Sequence, residues 1–163
     1  MRGAAAVQGY RKNLLDVFQM GAQNLGVLRE SFDWVEPLDG YELRPVPDHP
    51  EQWNFHHRSS GRRGRLLDMG GFLSAEPIAL NTDARAYLTT RQDFSLALLF
   101  PSAPKRIRLN ETKHTTITER ARPSLPQHWP PAMVRDIIKV RFKQICILDD
   151  AFLLEQIGLR TIH

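Results

Sequence analysis

The chain of 163 residues is 42% hydrophobic and 25% charged, with 11 Pro and 10 Gly, a composition that excludes collagen, a wholly disordered chain and a disulfide-stapled miniprotein. Its 22 Lys plus Arg against 18 Asp plus Glu give a formal charge of +4, and 17 Arg with 5 Lys make up that 22, favouring bidentate pairing with carboxylates or phosphates. The single cysteine, Cys146, permits no internal disulfide and suits a reducing compartment, while the longest apolar run, residues 96–100, ends at Pro101 and is far shorter than the roughly 20 residues of a membrane span.

Residues 1–29 are basic and poor in acid, with Arg2, Arg11, Lys12 and Arg29 against Asp16, and Leu14, Phe18, Ala22, Leu25 and Leu28 recur near helical spacing. The pattern predicts an N-terminal amphipathic helix that docks on the core or on a neighbour; it also suits a mitochondrial targeting segment. Gly9, Gly21 and Gly26 each weaken such a helix by up to about 1 kcal/mol against Ala, so it needs a surface to lie on.

The next stretch is organised by charge. Residues 30–51 hold seven acids against Arg44, a net of −6, and residues 52–65 hold Arg58, Arg62, Arg63 and Arg65 with no acid, a net of +4. Pro37, Pro45, Pro47 and Pro50 with Asp39-Gly40 predict a run of turns, so residues 30–65 read as an extended arm, acidic and then basic. Trp34, Tyr41, Trp53 and Phe55, spaced through that arm, call for something that covers them. The guanidiniums of residues 58–65 suit a phosphate chain, with Trp53 and Phe55 placed to stack on bases; they suit as well the neutralisation of the acidic arm.

Residues 66–163 predict a small α+β core. Gly70-Gly71 lacks the surroundings of a phosphate loop and reads as a backbone requirement for positive φ. A short helix is expected from Thr82 to Leu88, then a buried strand over residues 94–100, paired across residues 101–105 with a half-exposed strand beginning at Arg106. Residues 105–132 carry six bases and two acids, a second patch of +4 in which Arg106 and Arg108 share a strand face. A Pro-rich linker over residues 123–131 precedes a helix carrying Met133, Val134, Ile137, Ile138 and Ile145, with a strand over Ile138, Val140 and Phe142 as the competing reading. Asp149 or Asp150 caps a last helix that Gly158 stops.

No motif assigns a cofactor, a metal or a catalytic group. Asp149-Asp150 lacks a third ligand, and His49, His56 and His57 lack a partner at metal-ligand spacing. The expected fold is therefore α+β: a small single core with an N-terminal amphipathic helix, a short antiparallel hairpin, C-terminal helices and long irregular arms. The expected function is a non-catalytic accessory subunit of a large multi-protein assembly, mitochondrial and of respiratory-chain or ATP-synthase type. It would contact other protein subunits through Trp34, Trp53, Phe55 and the 58–65 arginines. The alternative is a ribosomal RNA-binding protein in which Arg58, Arg62, Arg63 and Arg65 continue into the second patch, Lys105 to Arg122 with Arg106 and Arg108, as one phosphate footprint.

Overall fold

The computed structural model describes residues 14–74, 76–91 and 94–161. Strands account for 51% of it and helix for 19%, which replaces the expected α+β core and arms with a β-rich fold. In chain order come β1 (Leu14–Met20), β2 (Gln23–Leu28), β3 (Trp34–Pro37), β4 (Tyr41–Val46), β5 (His49–His57) and β6 (Arg63–Asp68). A short helix α1 (Met69–Ser74) leads to β7 (Arg85–Arg91), β8 (Phe94–Phe100), β9 (Lys105–Arg108) and β10 (Thr115–Thr116). The chain ends with α2 (Thr118–Ala121), β11 (Val134–Val140), β12 (Lys143–Leu148) and α3 (Asp150–Thr161).

The chain divides into two compact units, one ending at Ser31 and resuming over Pro104–Asp150, the other formed by Phe32–Ala103 with the chain from Ala151 onward. Each holds one six-stranded sheet, ordered β10-β11-β12-β2-β1-β9 in the first unit and β3-β7-β8-β6-β5-β4 in the second. Both sheets repeat one scheme, two antiparallel pairings on each side of a central parallel pairing, β12 with β2 and β6 with β8. No repeat is legible in the sequence, because only the pairing scheme recurs.

The amphipathic helix expected over residues 14–28 is a hairpin. Met20 faces Gln23 across a two-residue turn in which Gly21 takes φ +63, a conformation a glycine adopts without the Cβ clash. The strand follows a period of two that the helical spacing passed over: Leu15 and Val17 point to the first unit's core, formed with Leu28, Leu109, Ile138, Ile145 and Ile147. The expected helix also covered residues 1–13, which lie outside the described residues. On the opposite face of β1 the Asp16 carboxylate, fully buried, receives two hydrogen bonds from Arg106, its cross-strand partner on β9, at 2.7 and 3.0 Å. Charge-assisted bidentate pairing of this kind fixes the register of the edge strand β9.

The irregular arms are absent as well. Residues 34–57 form three strands of the second sheet, and Pro45 is accommodated beside a register shift in the outermost strand β4, where a missing N–H is tolerated. In place of the helix expected over residues 82–88, a turn leads into the strand β7 from Arg85, because Ala86, Tyr87 and Leu88 are all fully buried between β3 and β8, which a one-faced helix could not achieve. Tyr87 meets Phe32 and Phe100 edge-on at 5.4 and 5.3 Å. The expected hairpin between residues 94–100 and the strand from Arg106 does not form: β8 pairs with β7 and β6, β9 with β1 in the other unit.

The segment after Pro131 makes one 3-10 turn, Pro131–Met133, and then the hairpin β11–β12 instead of a helix. The last helix forms as expected at Asp150, yet it runs past Gly158 to Thr161. Gly70 and Gly71 fall in α1 without positive φ. Gly70 is needed for room, since an added Cβ would meet Ile78 at 2.9 Å and the Glu76 carbonyl closer still. Asp68, just before α1, accepts hydrogen bonds from the backbone N–H groups of Gly71 and Ile78 at 3.1 and 2.9 Å, and burial raises its pKa above the ordinary aspartate value.

Candidate partner-docking site

Several residues singled out by sequence meet in the second unit. Trp34 on β3 is 42% exposed, and the Arg62 guanidinium lies over its ring, 4.9 Å from the centroid. Arg62 also bonds the Glu36 carboxylate, which accepts the Tyr41 hydroxyl in turn, so one acid ties β3 to β4 and to the turn before β6. Burial, with Glu36 beside it, pushes the Tyr41 hydroxyl well above its usual pKa. Phe55 is buried beneath Tyr41, with ring centroids 5.2 Å apart. Arg65 reaches Asn54 on the neighbouring strand at 3.1 Å, and Trp53 is half-buried on β5. Arg58 and Arg63 are exposed. This constellation links the two edge strands of the sheet, β3 and β4, through side chains, and Arg62 and Glu36 are spent on one another.

His57 Nδ1 lies 2.8 Å from Ser60 Oγ in the turn that follows β5, and His56 Nδ1 lies 3.3 Å from its cross-strand partner Glu42; both contacts are exposed. Among the described residues no group of three or more His, Cys, Asp or Glu side chains is gathered to hold a metal ion.

The arginines of the second patch belong to the first unit. Arg106 is paired with buried Asp16, and Arg108 stands 3.6 Å from Glu111. The two patches therefore fall in different units, each partly neutralised by its own carboxylates.

The first unit holds a feature that sequence reasoning missed. The β11–β12 hairpin turns in two residues, Arg141 and Phe142, between the paired Val140 and Lys143. Arg141 takes φ +57, a left-handed conformation costing an L-residue on the order of 1 kcal/mol. It carries Phe142 outward to 98% exposure, against 42% for Trp34. Beside the ring opens a groove of about 520 Å³ whose apolar wall is Val17, Ile107, Val140 and Ile145. Ile145 belongs to the first unit's core cluster, and Val17, Ile107 and Val140 pack against it, so the groove is the place where that core reaches solvent. Its polar rim is Lys105, Arg106, Arg141 and Lys143, with Thr112 and no carboxylate. The adjoining depression adds Lys113 and Lys139, and its one acid is Glu111, the neighbour of Arg108. A fully solvated phenylalanine on a strained turn, over an apolar groove ringed by cations, has no role in the packing of its own unit and is suited to receiving another molecule.

No family model matches the chain, and no curated protein matches it significantly. Among solved structures, the crystal structure of the scaffolding protein TtCheW from Thermoanaerobacter tengcongensis is similar at 16% identity, with a TM-score of 0.60 over 85% of this chain and 84% of that one. The likeness establishes the fold, a fold used by a bacterial scaffolding protein. It overturns the mitochondrial accessory-subunit reading, its mitochondrial location and the ribosomal RNA-binding alternative. Those readings drew on a helix that is a hairpin, on arms that are strands and on a continuous arginine footprint that is divided between two units. No helix among the described residues is long and apolar enough to cross a membrane.

Proposed function

We propose that the chain is a non-catalytic scaffold that joins protein partners, and that the first unit's groove beside Phe142 is one docking site. The observation that carries this reading is Phe142 itself, 98% exposed at the tip of a two-residue turn and adjoining aliphatic side chains of the core. Apolar rings placed over a groove with a polar rim are the pattern of an interface anchor. The likeness to a scaffolding protein supports the class of function and leaves the partner open. The arginines and aromatics of the second unit, from Trp34 to Arg65, are a second candidate contact surface, with Trp34, Arg58 and Arg63 its exposed members.

The test is photo-crosslinking in the cells that produce the protein. A benzophenone amino acid replaces Phe142 in one strain and Leu80, an exposed leucine of the second unit, in another. Discrete protein adducts at position 142 that are absent at position 80 are expected. Equal, diffuse labelling at both positions would remove the groove from consideration as a docking site.

A further inference from the structure

We propose that the groove beside Phe142 takes an acidic, apolar segment of a partner protein, an inference that rests on the docking reading above. The chemistry follows from the lining. Val17, Ile107, Val140 and Ile145 offer only aliphatic surface, so the inserted group is a hydrophobic side chain. Lys105, Arg141 and Lys143 line the groove as exposed cations, and no carboxylate lines it to neutralise them. Arg106 is the exception, its guanidinium already held by Asp16. A segment that buries an apolar anchor here brings its flanking residues against those cations, and acidic flanks convert that approach from repulsion to attraction.

Charge also sorts the possible occupants. The chain's own first thirteen residues carry Arg2, Arg11 and Lys12 and no acid, so they are matched against this rim like charge to like. A second copy of the chain has its acidic stretch at residues 30–51, where Glu36 is held by Arg62 and Glu42 lies beside His56, while the exposed Asp39 and Asp48 sit in separate turns with no exposed large apolar side chain next to them to serve as the anchor. An anionic membrane would meet the same cations and the same ring, yet a bilayer surface takes up the exposed ring and leaves the aliphatic lining of the groove unfilled. A partner protein that presents acids around a hydrophobic anchor satisfies shape and charge together.

The experiment extends the crosslinking at position 142 with full-length protein. The adducted partner peptide is sequenced by mass spectrometry, and adduct yield is compared between the parent and a Lys105→Glu, Lys143→Glu variant of unchanged thermal melting. Both lysines are exposed, so their replacement leaves the core intact. The proposal expects an adducted segment of net negative charge and a yield, at limiting partner, reduced about tenfold by the two charge reversals. Protein adducts that persist undiminished in the charge variant, or that lie in neutral or basic segments, overturn the acidic partner while leaving the docking reading in place. Adducts to a second copy of the chain, or to RNA, overturn the proposal. So does Phe142-dependent co-sedimentation with phosphatidylserine vesicles in place of protein adducts. Loss of all specific adducts at position 142 in the parent removes both readings together.

Discussion

Gly64 sits in β6 opposite Ser95 of the parallel strand β8, and the second unit is arranged around the absence of its side chain. A Cβ built there would fall 2.6 Å from the Ser95 carbonyl carbon, closer still to its oxygen, and 2.8 Å from Phe55 Cε2. The first two are backbone atoms, so relief cannot come from a rotamer change and the strands must part. The pairing that parts runs from Gly64 to Asp68 and brings together Leu66, Leu67, Leu98 and Leu99, all fully buried. Losing even two ladder hydrogen bonds at about 1 kcal/mol each, with overpacking strain of about 1 to 3 kcal/mol, sets the cost of Gly64→Ala at about 3 to 5 kcal/mol. For a chain of this size that is a fall of roughly 10 °C in Tm. Gly61 provides the comparison: its φ is +74 with nothing within 4 Å of an added Cβ, so Gly61→Ala costs only the left-handed penalty, about 1 kcal/mol. Urea unfolding of both variants checks the order. A Gly64→Ala protein within about 0.5 kcal/mol of the parent would refute the close approach of β6 and β8, and with it the second sheet's central pairing.

Three further expectations concern the first unit and its pairings. Arg141→Gly relieves the left-handed turn and stabilises the protein by about 1 kcal/mol in the same assay, while removing one rim cation. Arg106→Leu deprives the fully buried Asp16 of two hydrogen bonds and costs about 2 kcal/mol, whereas Arg108→Leu, at 3.6 Å from Glu111 and two-thirds exposed, changes stability by less than about 0.5 kcal/mol. The Cys146 thiol, pushed up to about 11 by burial, stays unmodified by iodoacetamide at pH 8 until the chain unfolds. Its raised pKa means the unfolded chain releases that proton first as pH rises, so this contribution is fully present below the ordinary thiol pKa and is lost across about pH 9 to 11. Alkaline unfolding in that window is expected to be relieved in part by Cys146→Ala.

What the sequence made legible depended on where turn chemistry was written. The β8 strand was readable because residues 94–100 are a short apolar run ended by Pro101, and α3 because Asp149-Asp150 precedes a helical pattern. The β1–β2 hairpin carried its signal in Gly21, but Leu14, Phe18, Leu25 and Leu28 fit a helical period as well as two strands, and fifteen residues of near-helical spacing outweighed one glycine. The β11–β12 turn carried no signal at all, since Arg141 occupies a left-handed conformation without being Gly, Asn or Asp. Without a turn there, the segment after Pro131 joined into one helix and Phe142 counted as one more apolar residue of an alternating run. The docking groove vanished with it, because Val17, Ile107 and Ile145 meet only once β12, β2, β1 and β9 are paired in one sheet.

Charge density misled for a related reason. In residues 30–65, where the local count swings from −6 to +4, part of the charge is met within the fold: Glu36 by Arg62, with Glu42 beside His56. The β4–β5 hairpin sets Glu42 opposite His56, the turn before β6 brings Arg62 to Glu36, and each contact removes a charge from the surface available to partners. The cations around Phe142 come from residues 105–106 and 139–143, stretches without an acid. Among the described residues no carboxylate lines this groove, and of its cations Arg106 alone is held by a buried acid, Asp16. The excess positive charge that remains effective is therefore set by pairing and not by local count. In a two-sheet fold of this kind, the surface that attracts an acidic partner is found by asking which cations the strand register leaves without a neighbouring acid.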